Sequence, residues 1–193
     1  MNVVGLTGKA GSGKTMISKV LSNKGFVLHE LDKIGHQVLN EIPVELLIDN
    51  FGRSIINEYG NVDRKKLGDI VFSNYDKLQL LNSIVHPKIH DRVKKRITLN
   101  NESDHLIDGA LLFDIGLSEL CDCIIWIDCS EDLAIRRMVK RGVSEEKAKY
   151  ILKSQKHLDN FKNESDKVFL NDSSADELID SIISFLKKKG IML

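Results

Sequence analysis

The chain has 193 residues, with 28 basic and 28 acidic side chains, a formal net charge of zero and 42% apolar residues. This length is that of one domain, with room for an inserted subdomain. The balanced charge and ordinary apolar content exclude a disordered or collagen-like chain and argue against a strongly basic nucleic-acid binder. The first residues contain no basic segment followed by an apolar one, and no 18-residue window is apolar and uncharged. We therefore expect no secretion signal and no transmembrane helix.

Three cysteines, Cys121, Cys123 and Cys129, lie within one short apolar stretch. An odd number cannot pair off completely, and no histidine follows at the spacing of a zinc site. We therefore expect reduced thiols on or beside a buried strand, as is ordinary for a cytoplasmic protein.

The first 32 residues alternate between strand, loop, helix and strand. Val3–Thr7 is a short apolar run typical of a buried parallel strand. After a glycine-rich turn, apolar residues recur at helical spacing until Gly25, which favours a helix stop. Residues 26–31 then predict a second strand, with Asp32 at its carboxyl end. This order builds a parallel α/β sheet.

The middle of the chain, residues 33–100, is helix-rich and shows no strand pattern. Helices are predicted over 33–40, from Pro43, after an Asp63 cap through Phe72, over 75–85, and again from Pro87. We interpret this stretch as a helical excursion from the sheet.

Strand patterns return in the last part of the chain, at His105–Asp108, Cys123–Asp128 and Val168–Leu170. Serines at 130, 144 and 174 are each followed by acidic residues and then by apolar residues at helical spacing. These are helix starts, because the serine can cap and the acids favour the positive end of the helix dipole. The chain is therefore predicted to be α/β with a central parallel sheet.

Residues 8–15, Gly-Lys-Ala-Gly-Ser-Gly-Lys-Thr, match the P-loop pattern G-x-x-x-x-G-K-[ST] at every fixed position. Glycines allow successive backbone N–H groups to surround a phosphate, and the following helix directs its positive end at the same point. Lys14 can reach the β- and γ-phosphates, and Thr15 can offer its hydroxyl to Mg²⁺. The flanking strand and helix patterns support a nucleotide site over a plain glycine-rich turn.

Two acidic residues lie at the carboxyl ends of predicted strands, where the sites of parallel sheets form. Asp32 can accept a proton from an acceptor hydroxyl or orient it, but it can equally cap the next helix. Asp108 has the position of a second metal-organising carboxylate, but it can also be a turn residue before Gly109.

Basic residues and one histidine offer further anion contacts. Arg137 and Arg141 are spaced to share one helix face, which can grip phosphates or simply face solvent and pair with Glu145 or Glu146. His86 precedes Pro87 at a predicted helix start, where an imidazole can meet an anion or serve a structural purpose.

Together these stretches resemble the dephospho-CoA kinase family. The similar segments are 4–15, the Glu30–His36 segment, Phe51-Gly52, residues 63–72, the Leu-Asn-x-Ile-x-His-Pro-x-Ile signature at 81–89, the turn 108–114, Arg137, Arg141, Gln155, Asp166 and Asn171. The resemblance covers nearly the whole chain.

This resemblance implies a P-loop NTPase-type three-layer sandwich: a core of about 1–31, 101–135 and 165–193, a helical substrate-binding subdomain of about 32–100, and a lid of about 136–164. It implies ATP-dependent phosphorylation of the ribose 3′-hydroxyl of dephospho-CoA, with Mg²⁺ as cofactor. The implied enzyme is a cytoplasmic monomer or weak homo-oligomer that binds neither nucleic acid nor membrane.

The resemblance also assigns site residues. Catalysis falls to Asp32 as base and to Lys14 and Arg137 as stabilisers of the phosphoryl group. The implied ATP contacts are Gly8, Ala10, Gly11, Ser12, Gly13, Lys14, Thr15, Met16 and Arg141. The implied contacts to the second substrate are Thr7, Asp32, His86 and Leu111, and the implied metal-organising residues are Thr15 and Asp108.

The sequence departs from the family pattern at several positions. The departures are Glu30 for an aspartate, His36 for an arginine, Ala110 for a proline, Asp114 for a glutamate, Gly142 for an acid and Phe161 for a later lid arginine. Two other functions stay open: a different small-molecule or nucleoside-monophosphate kinase, and a nucleotide-binding switch that transfers no phosphate to a small molecule.

Overall fold

The computed structural model describes residues 1–172 and 174–191. Five strands form one parallel sheet in the order β2-β3-β1-β4-β5. The strands are β1 (Val3–Thr7), β2 (Val27–Glu30), β3 (His105–Asp108), β4 (Cys123–Asp128) and β5 (Lys167–Leu170). All residues of the central strand β1 are buried, so the loop that follows it starts from a rigid point.

Helices connect the strands. The α-helices of the described residues are α1 (Lys14–Asn23), α2 (Leu31–Glu41), α3 (Val44–Phe51), α4 (Arg64–Phe72), α5 (Tyr75–Leu99), α6 (Glu131–Lys140), α7 (Glu145–Ser154) and α8 (Ala175–Lys188). Shorter 3-10 helices span Arg53–Ile55, Leu117–Leu120 and Lys156–Glu164.

The core lies on both faces of the sheet. On one face the strands pack against α1 and α8, through residues that include Val4, Leu6, Ile17, Leu21, Leu106, Ile125, Leu178 and Ile182. On the other face, Gly5 leaves room for Leu112 and Cys121, because a Cβ at Gly5 would lie 2.8 Å from Leu112 Cδ2 and 3.0 Å from Cys121 Sγ. The α/β fold with a central parallel sheet is confirmed.

Three of the four predicted capping side chains form their caps. Asp63 accepts hydrogen bonds from the backbone N–H groups of Lys65 and Lys66, and the hydroxyls of Ser144 and Ser174 cap α7 and α8. Ser130 has the N-cap position of α6, but its side chain makes no capping hydrogen bond; its own N–H donates to Asp172 Oδ1 at 3.0 Å.

The predicted helix break at Pro87 is wrong, because α5 runs through it as one helix. Proline in a helix interior removes one hydrogen bond and costs about 3 kcal/mol. Ile89 and Val93, one turn apart, are both buried, and burial of two such side chains contributes about 3–6 kcal/mol. Packing of this apolar face therefore outweighs the local cost of the proline.

The predicted second strand is too long at both ends. The prediction covers residues 26–31, whereas β2 begins at Val27 and ends at Glu30, and α2 begins at Leu31. Asp32 is therefore in the first turn of α2 rather than at the strand end, where its negative charge faces the favourable end of the helix dipole.

The chain forms two compact units, one of residues 1–31 and from 94 onward, the other of residues 32–93. The first contains the sheet. The second is helical, and Ile34, Leu47 and Val71 are among its buried residues. The division into core, helical subdomain and lid stays a prediction.

All three cysteines carry free thiols. Burial raises the pKa of Cys121 to about 12 and that of Cys123 to about 11, which keeps both in the unreactive thiol form. No helix among the described residues combines the length and apolar character needed to cross a membrane.

A buried histidine pair joins β2 to β3. His29 Nε2 lies 2.9 Å from His105 Nδ1, and His105 Nε2 lies 3.0 Å from the Asn100 carbonyl oxygen. The carbonyl requires a proton on His105 Nε2, so neutral His105 accepts through Nδ1 and His29 donates through Nε2. The remaining His29 Nδ1 is buried without a hydrogen-bond partner among the described residues.

This pair predicts a loss of stability in mild acid. Burial, with His105 and Arg96, lowers the pKa of His29 from 6.5 to about 4, so the folded state takes up this proton less readily than the unfolded state. The favourable contribution of neutral His29 to the free energy of unfolding is therefore lost as the pH falls below 6.5. The loss is about 2 kcal/mol between pH 7.5 and pH 5. Urea titrations of the wild-type protein and His29→Gln should differ by this amount in their pH dependence.

His36→Gln is the matched control, because His36 is an exposed histidine on α2. It should leave the pH dependence unchanged. Identical pH profiles for His29→Gln and the wild-type protein would exclude His29 as the cause.

Candidate nucleotide-binding and phosphotransfer site

The loop after β1 is shaped by three glycines in the left-handed region. Gly8, Gly11 and Gly13 have φ angles of 133°, 77° and 102°. A Cβ would lie 2.1 Å from the Ile127 carbonyl oxygen at Gly8 and 2.6 Å from the Ala134 carbonyl oxygen at Gly11. Conformation and space therefore both require glycine at these two positions.

Lys14, the first residue of α1, lies across this loop. Its Nζ donates to the carbonyl oxygens of Gly8 at 2.6 Å and Lys9 at 3.1 Å. Lys14 is held within the loop by backbone oxygens, so a positive charge stands where the motif requires one for phosphate.

Arg137 of α6 and Asn171 hold the outer side of the loop. Arg137 Nη1 donates to the carbonyl oxygens of Gly11 at 3.4 Å and Ser12 at 3.3 Å. Asn171 Nδ2 donates to the Ser12 carbonyl oxygen at 2.7 Å. In a phosphate nest the amides turn inward and the carbonyls outward, so these donors satisfy the carbonyls that the nest leaves exposed.

The segment after α7 also contacts the loop. The backbone N–H of Ala10 donates to Gln155 Oε1 at 2.8 Å. Lys9 Nζ forms an ion pair with Asp159 Oδ2 at 3.0 Å. The 3-10 helix Lys156–Glu164 is thereby fastened to the beginning of the loop.

The ion pair continues from Asp159 to the end of β4. Lys162 Nζ lies 3.1 Å from Asp159 Oδ1 and 2.8 Å from Asp128 Oδ2. Burial alone would raise the pKa of Asp159 and lower that of Lys162. The ion pairs outweigh it, so the Asp159 pKa is lowered and the Lys162 pKa is raised. Both side chains therefore stay charged at neutral pH.

Three strands end in a carboxylate at the carboxyl edge of the sheet: Glu30 in β2, Asp108 in β3 and Asp128 in β4. Asp108 ends β3, where it pairs in register with Leu6 of β1 and Glu30 of β2. No three His, Cys, Asp or Glu side chains within residues 1–172 and 174–191 could by themselves hold a metal ion. Mg²⁺ commonly keeps water and substrate phosphates as ligands and takes one or two from the protein. The hydroxyl of the exposed Thr15 and the Asp108 carboxylate are oxygen groups of the kind that Mg²⁺ binds.

The turn after β3 brings two predicted residues near one another. Thr7 Oγ1 donates to the carbonyl oxygen of Ala110, the residue before Leu111, at 3.3 Å. Ala110 and Leu111 are half-buried.

Two departures from the family pattern contact the 3-10 helix Lys156–Glu164 or lie on it. Phe161 stacks on Phe113 with ring centroids 4.7 Å apart. Asp114 Oδ2 pairs with His157 Nε2 at 3.0 Å. An aromatic contact and a hydrogen bond thus join this helix to the turn after β3.

The two predicted lid arginines differ in their surroundings. The α6 and α7 helices pack through Ala134, Met138 and Ala148, with Ala10 of the loop against the same cluster. Arg137 reaches the loop, whereas α6 ends at Lys140 and Arg141 is its exposed C-cap. The expectation that both arginines present one face to phosphate stays a prediction.

Two further predicted residues belong to the helical unit. Asp32 is exposed in the first turn of α2. His86 is half-buried in the middle of α5 rather than at a helix start, so the proposed attraction between a helix end and an anion does not apply there.

Lys9 of the loop and three residues that contact the loop were not predicted as site residues; the three are Gln155, Asp159 and Asn171. Asn171 follows β5 directly, which is the signal that marks site residues in parallel sheets. Gln155 and Asp159 carry no such signal, because their contacts depend on how the chain returns after α7.

The sequence comparisons agree with this geometry. A sequence model of the dephospho-CoA kinase family matches residues 2–177. The chain belongs to the dephospho-CoA kinase family. A dephospho-CoA kinase of Fusobacterium nucleatum is 35% identical over 185 residues, which are 95% of this chain and 96% of that protein. Members of this family are kinases, and this chain is therefore a phosphotransferase with an alcohol acceptor.

Solved structures give the same fold. The dephospho-CoA kinase from Campylobacter jejuni superposes with a TM-score of 0.72 at 26% identity, over 99% of both chains. A shikimate kinase from Bacteroides thetaiotaomicron superposes with a TM-score of 0.58 at 14% identity, over 96% of this chain and 98% of that one. The latter likeness shows the fold alone, which is that of the P-loop kinases.

Gly11→Ala should impair nucleotide binding, because it places a Cβ against the backbone of α6. Gly116→Ala is a matched control: Gly116 also has a φ of 77°, but a Cβ there has no neighbour within 4 Å. Both variants incur the left-handed strain of about 1–2 kcal/mol. We expect calorimetric ATP affinity to fall more than 10-fold in Gly11→Ala only. Equal ATP affinity in the two variants would show that the close approach at Gly11 does not shape the site.

Proposed function

We propose that this chain transfers the γ-phosphate of ATP to the ribose 3′-hydroxyl of dephospho-CoA, giving coenzyme A and ADP. The observation that carries the proposal is a complete phosphate loop, with its carbonyls held by Lys14, Arg137 and Asn171, in a chain that matches the dephospho-CoA kinase family over residues 2–177.

The ATP side of the proposed reaction rests on the loop and α1. The proposed contacts are Gly8, Ala10, Gly11, Ser12, Gly13, Lys14, Thr15, Met16 and Arg141. Met16 packs its side chain against the core, so it would contribute through its backbone at the positive end of α1. Arg141 is exposed and would approach the nucleotide from the lid.

Charge neutralisation is the main requirement of phosphoryl transfer, because the transition state spreads negative charge over the moving group. Lys14 and Arg137 would supply fixed positive charges at the loop. Thr15 and Asp108 would hold Mg²⁺, which, when bound, neutralises charge on the β- and γ-oxygens.

The acceptor side is proposed from Asp32, with Thr7, His86 and Leu111 as further contacts. Asp32 is an exposed carboxylate in the first turn of α2, and it would accept the proton of the 3′-hydroxyl as that oxygen attacks phosphorus. Positioning and charge, rather than covalent chemistry, would account for most of the rate. We further propose a cytoplasmic enzyme that acts as a monomer or weak homo-oligomer.

One assay tests the reaction and the base together. ADP formation is measured with ATP and Mg²⁺ and with dephospho-CoA, AMP or no acceptor, for the wild-type protein, Asp32→Asn and Asp76→Asn. Asp76 is an exposed second residue of α5, as Asp32 is of α2, so Asp76→Asn is the matched control. We expect ADP only with dephospho-CoA, and a kcat at least 100-fold lower in Asp32→Asn alone, as for loss of a general base.

Different outcomes contradict different parts of the proposal. Faster phosphorylation of AMP would replace the substrate, and hydrolysis independent of acceptor would support a nucleotide switch. Full activity of Asp32→Asn with dephospho-CoA would leave the reaction intact and remove Asp32 from it.

A further inference from the structure

We propose that Asn171 is a positioning residue, which fixes the phosphate loop and the Arg137 guanidinium as one unit for phosphoryl transfer. This inference rests on the proposed function, since it assigns Arg137 to the transferring phosphate. The inference adds how the positive charge of Arg137 is held in place beside the loop.

The backbone places Asn171 at the edge of the sheet where the loop begins. It directly follows β5, and its N–H donates to the Asp128 carbonyl oxygen at 2.8 Å, which extends the pairing of β5 with β4 by one residue. Asn171 is only 4% exposed. Its position is therefore set by the sheet and not by a mobile surface loop.

The side chain uses both ends of its amide. Nδ2 donates to the Ser12 carbonyl oxygen at 2.7 Å, and Oδ1 accepts from Arg137 Nη2 at 3.3 Å. The Asn171 backbone carbonyl accepts from the same Nη2 at 3.0 Å. A donor towards the loop and an acceptor towards the arginine are both needed, and an amide supplies both on one short side chain.

Arg137 closes this arrangement from the other side. Its Nη1 donates to the carbonyl oxygens of Gly11 and Ser12, so Ser12 accepts from both Asn171 and Arg137. The loop passes so close that a Cβ at Gly13 would lie 2.1 Å from Asn171 Nδ2. Loop, asparagine and arginine are therefore coupled, and displacement of any one disturbs the other two.

This coupling matters because a flexible arginine loses conformational freedom when it grips a phosphate. Hydrogen bonds to three backbone carbonyl groups and one side-chain amide oxygen orient the guanidinium in advance, which lowers that cost. Asn171 would thus act on the transition state through Arg137 without touching the substrate.

Asn171→Asp tests the idea with little change of shape. The carboxylate has no N–H for the Ser12 carbonyl, so two oxygens face one another, and its charge draws Arg137 towards itself. We expect kcat with dephospho-CoA to fall at least 30-fold, KM for dephospho-CoA to change less than 3-fold, and calorimetric ATP affinity to fall about 10-fold.

Asp166→Asn is the matched control at the other end of the same strand. Asp166 precedes β5, and its Oδ2 accepts from the Ile124 N–H at 2.8 Å. Asp166→Asn also exchanges a carboxylate and an amide beside β4 and β5. The exchange lies at the opposite end of β5 from the contacts between Asn171 and the loop. We expect Asp166→Asn to keep kcat within 2-fold of the wild-type protein.

A double-mutant cycle separates positioning from general stability. In an Arg137→Ala background, Asn171→Asp should lower kcat by less than a further 3-fold, because the group through which it acts is gone. Independent, multiplying losses of kcat, or an Asn171→Asp variant as active as Asp166→Asn, would overturn the proposal. Asn171→Ser, which also removes the contacts but adds no charge, provides the same comparison if Asn171→Asp does not fold.

Failure of the positioning role of Asn171 can be distinguished from failure of the proposed reaction. If the wild-type protein did not phosphorylate dephospho-CoA, the proposed function would fail, yet ATP affinity would still report on the loop. An unchanged ATP affinity and kcat in both variants at position 171 would instead contradict the positioning role alone.

Discussion

The structure depends on one constraint, which is that a loop that turns its amides towards a phosphate must turn its carbonyls away and find donors for them. Lys14, Arg137 and Asn171 supply these donors. Each comes from a different element, so the loop is held where α1, α6 and the end of β5 approach the carboxyl edge of the sheet. Lys14 and Arg137 provide both positive charge for phosphate and support for the backbone, and the neutral Asn171 provides support alone.

The sequence allowed the phosphate loop, the parallel sheet and most helix caps to be predicted, because each depends on neighbours within a few residues. Gly8 and Gly11 illustrate this: a positive φ and a close backbone approach leave no alternative to glycine. The error at Pro87 has the opposite cause. A local rule predicted a break, but burial of Ile89 and Val93 decides the helix.

The parts of the site that the sequence missed come from long-range contacts. Asn171 and Ser12 are 159 residues apart in the chain, and Lys9 and Asp159 are 150 apart. No periodicity or short motif encodes such pairs. Phe161, a departure from the family pattern, also depends on a long-range contact. It stacks on Phe113, so the aromatic residue in place of an arginine is explained only once the fold is known.

The most direct test of the central claim is hydrogen–deuterium exchange of the amides of residues 9–15 with saturating ADP and with saturating adenosine. The account predicts that ADP with Mg²⁺ slows exchange at these amides, whereas adenosine, which lacks phosphate, does not. Equal protection by adenosine, or binding of ADP without protection of the loop, would contradict the claim that these backbone groups hold the phosphates.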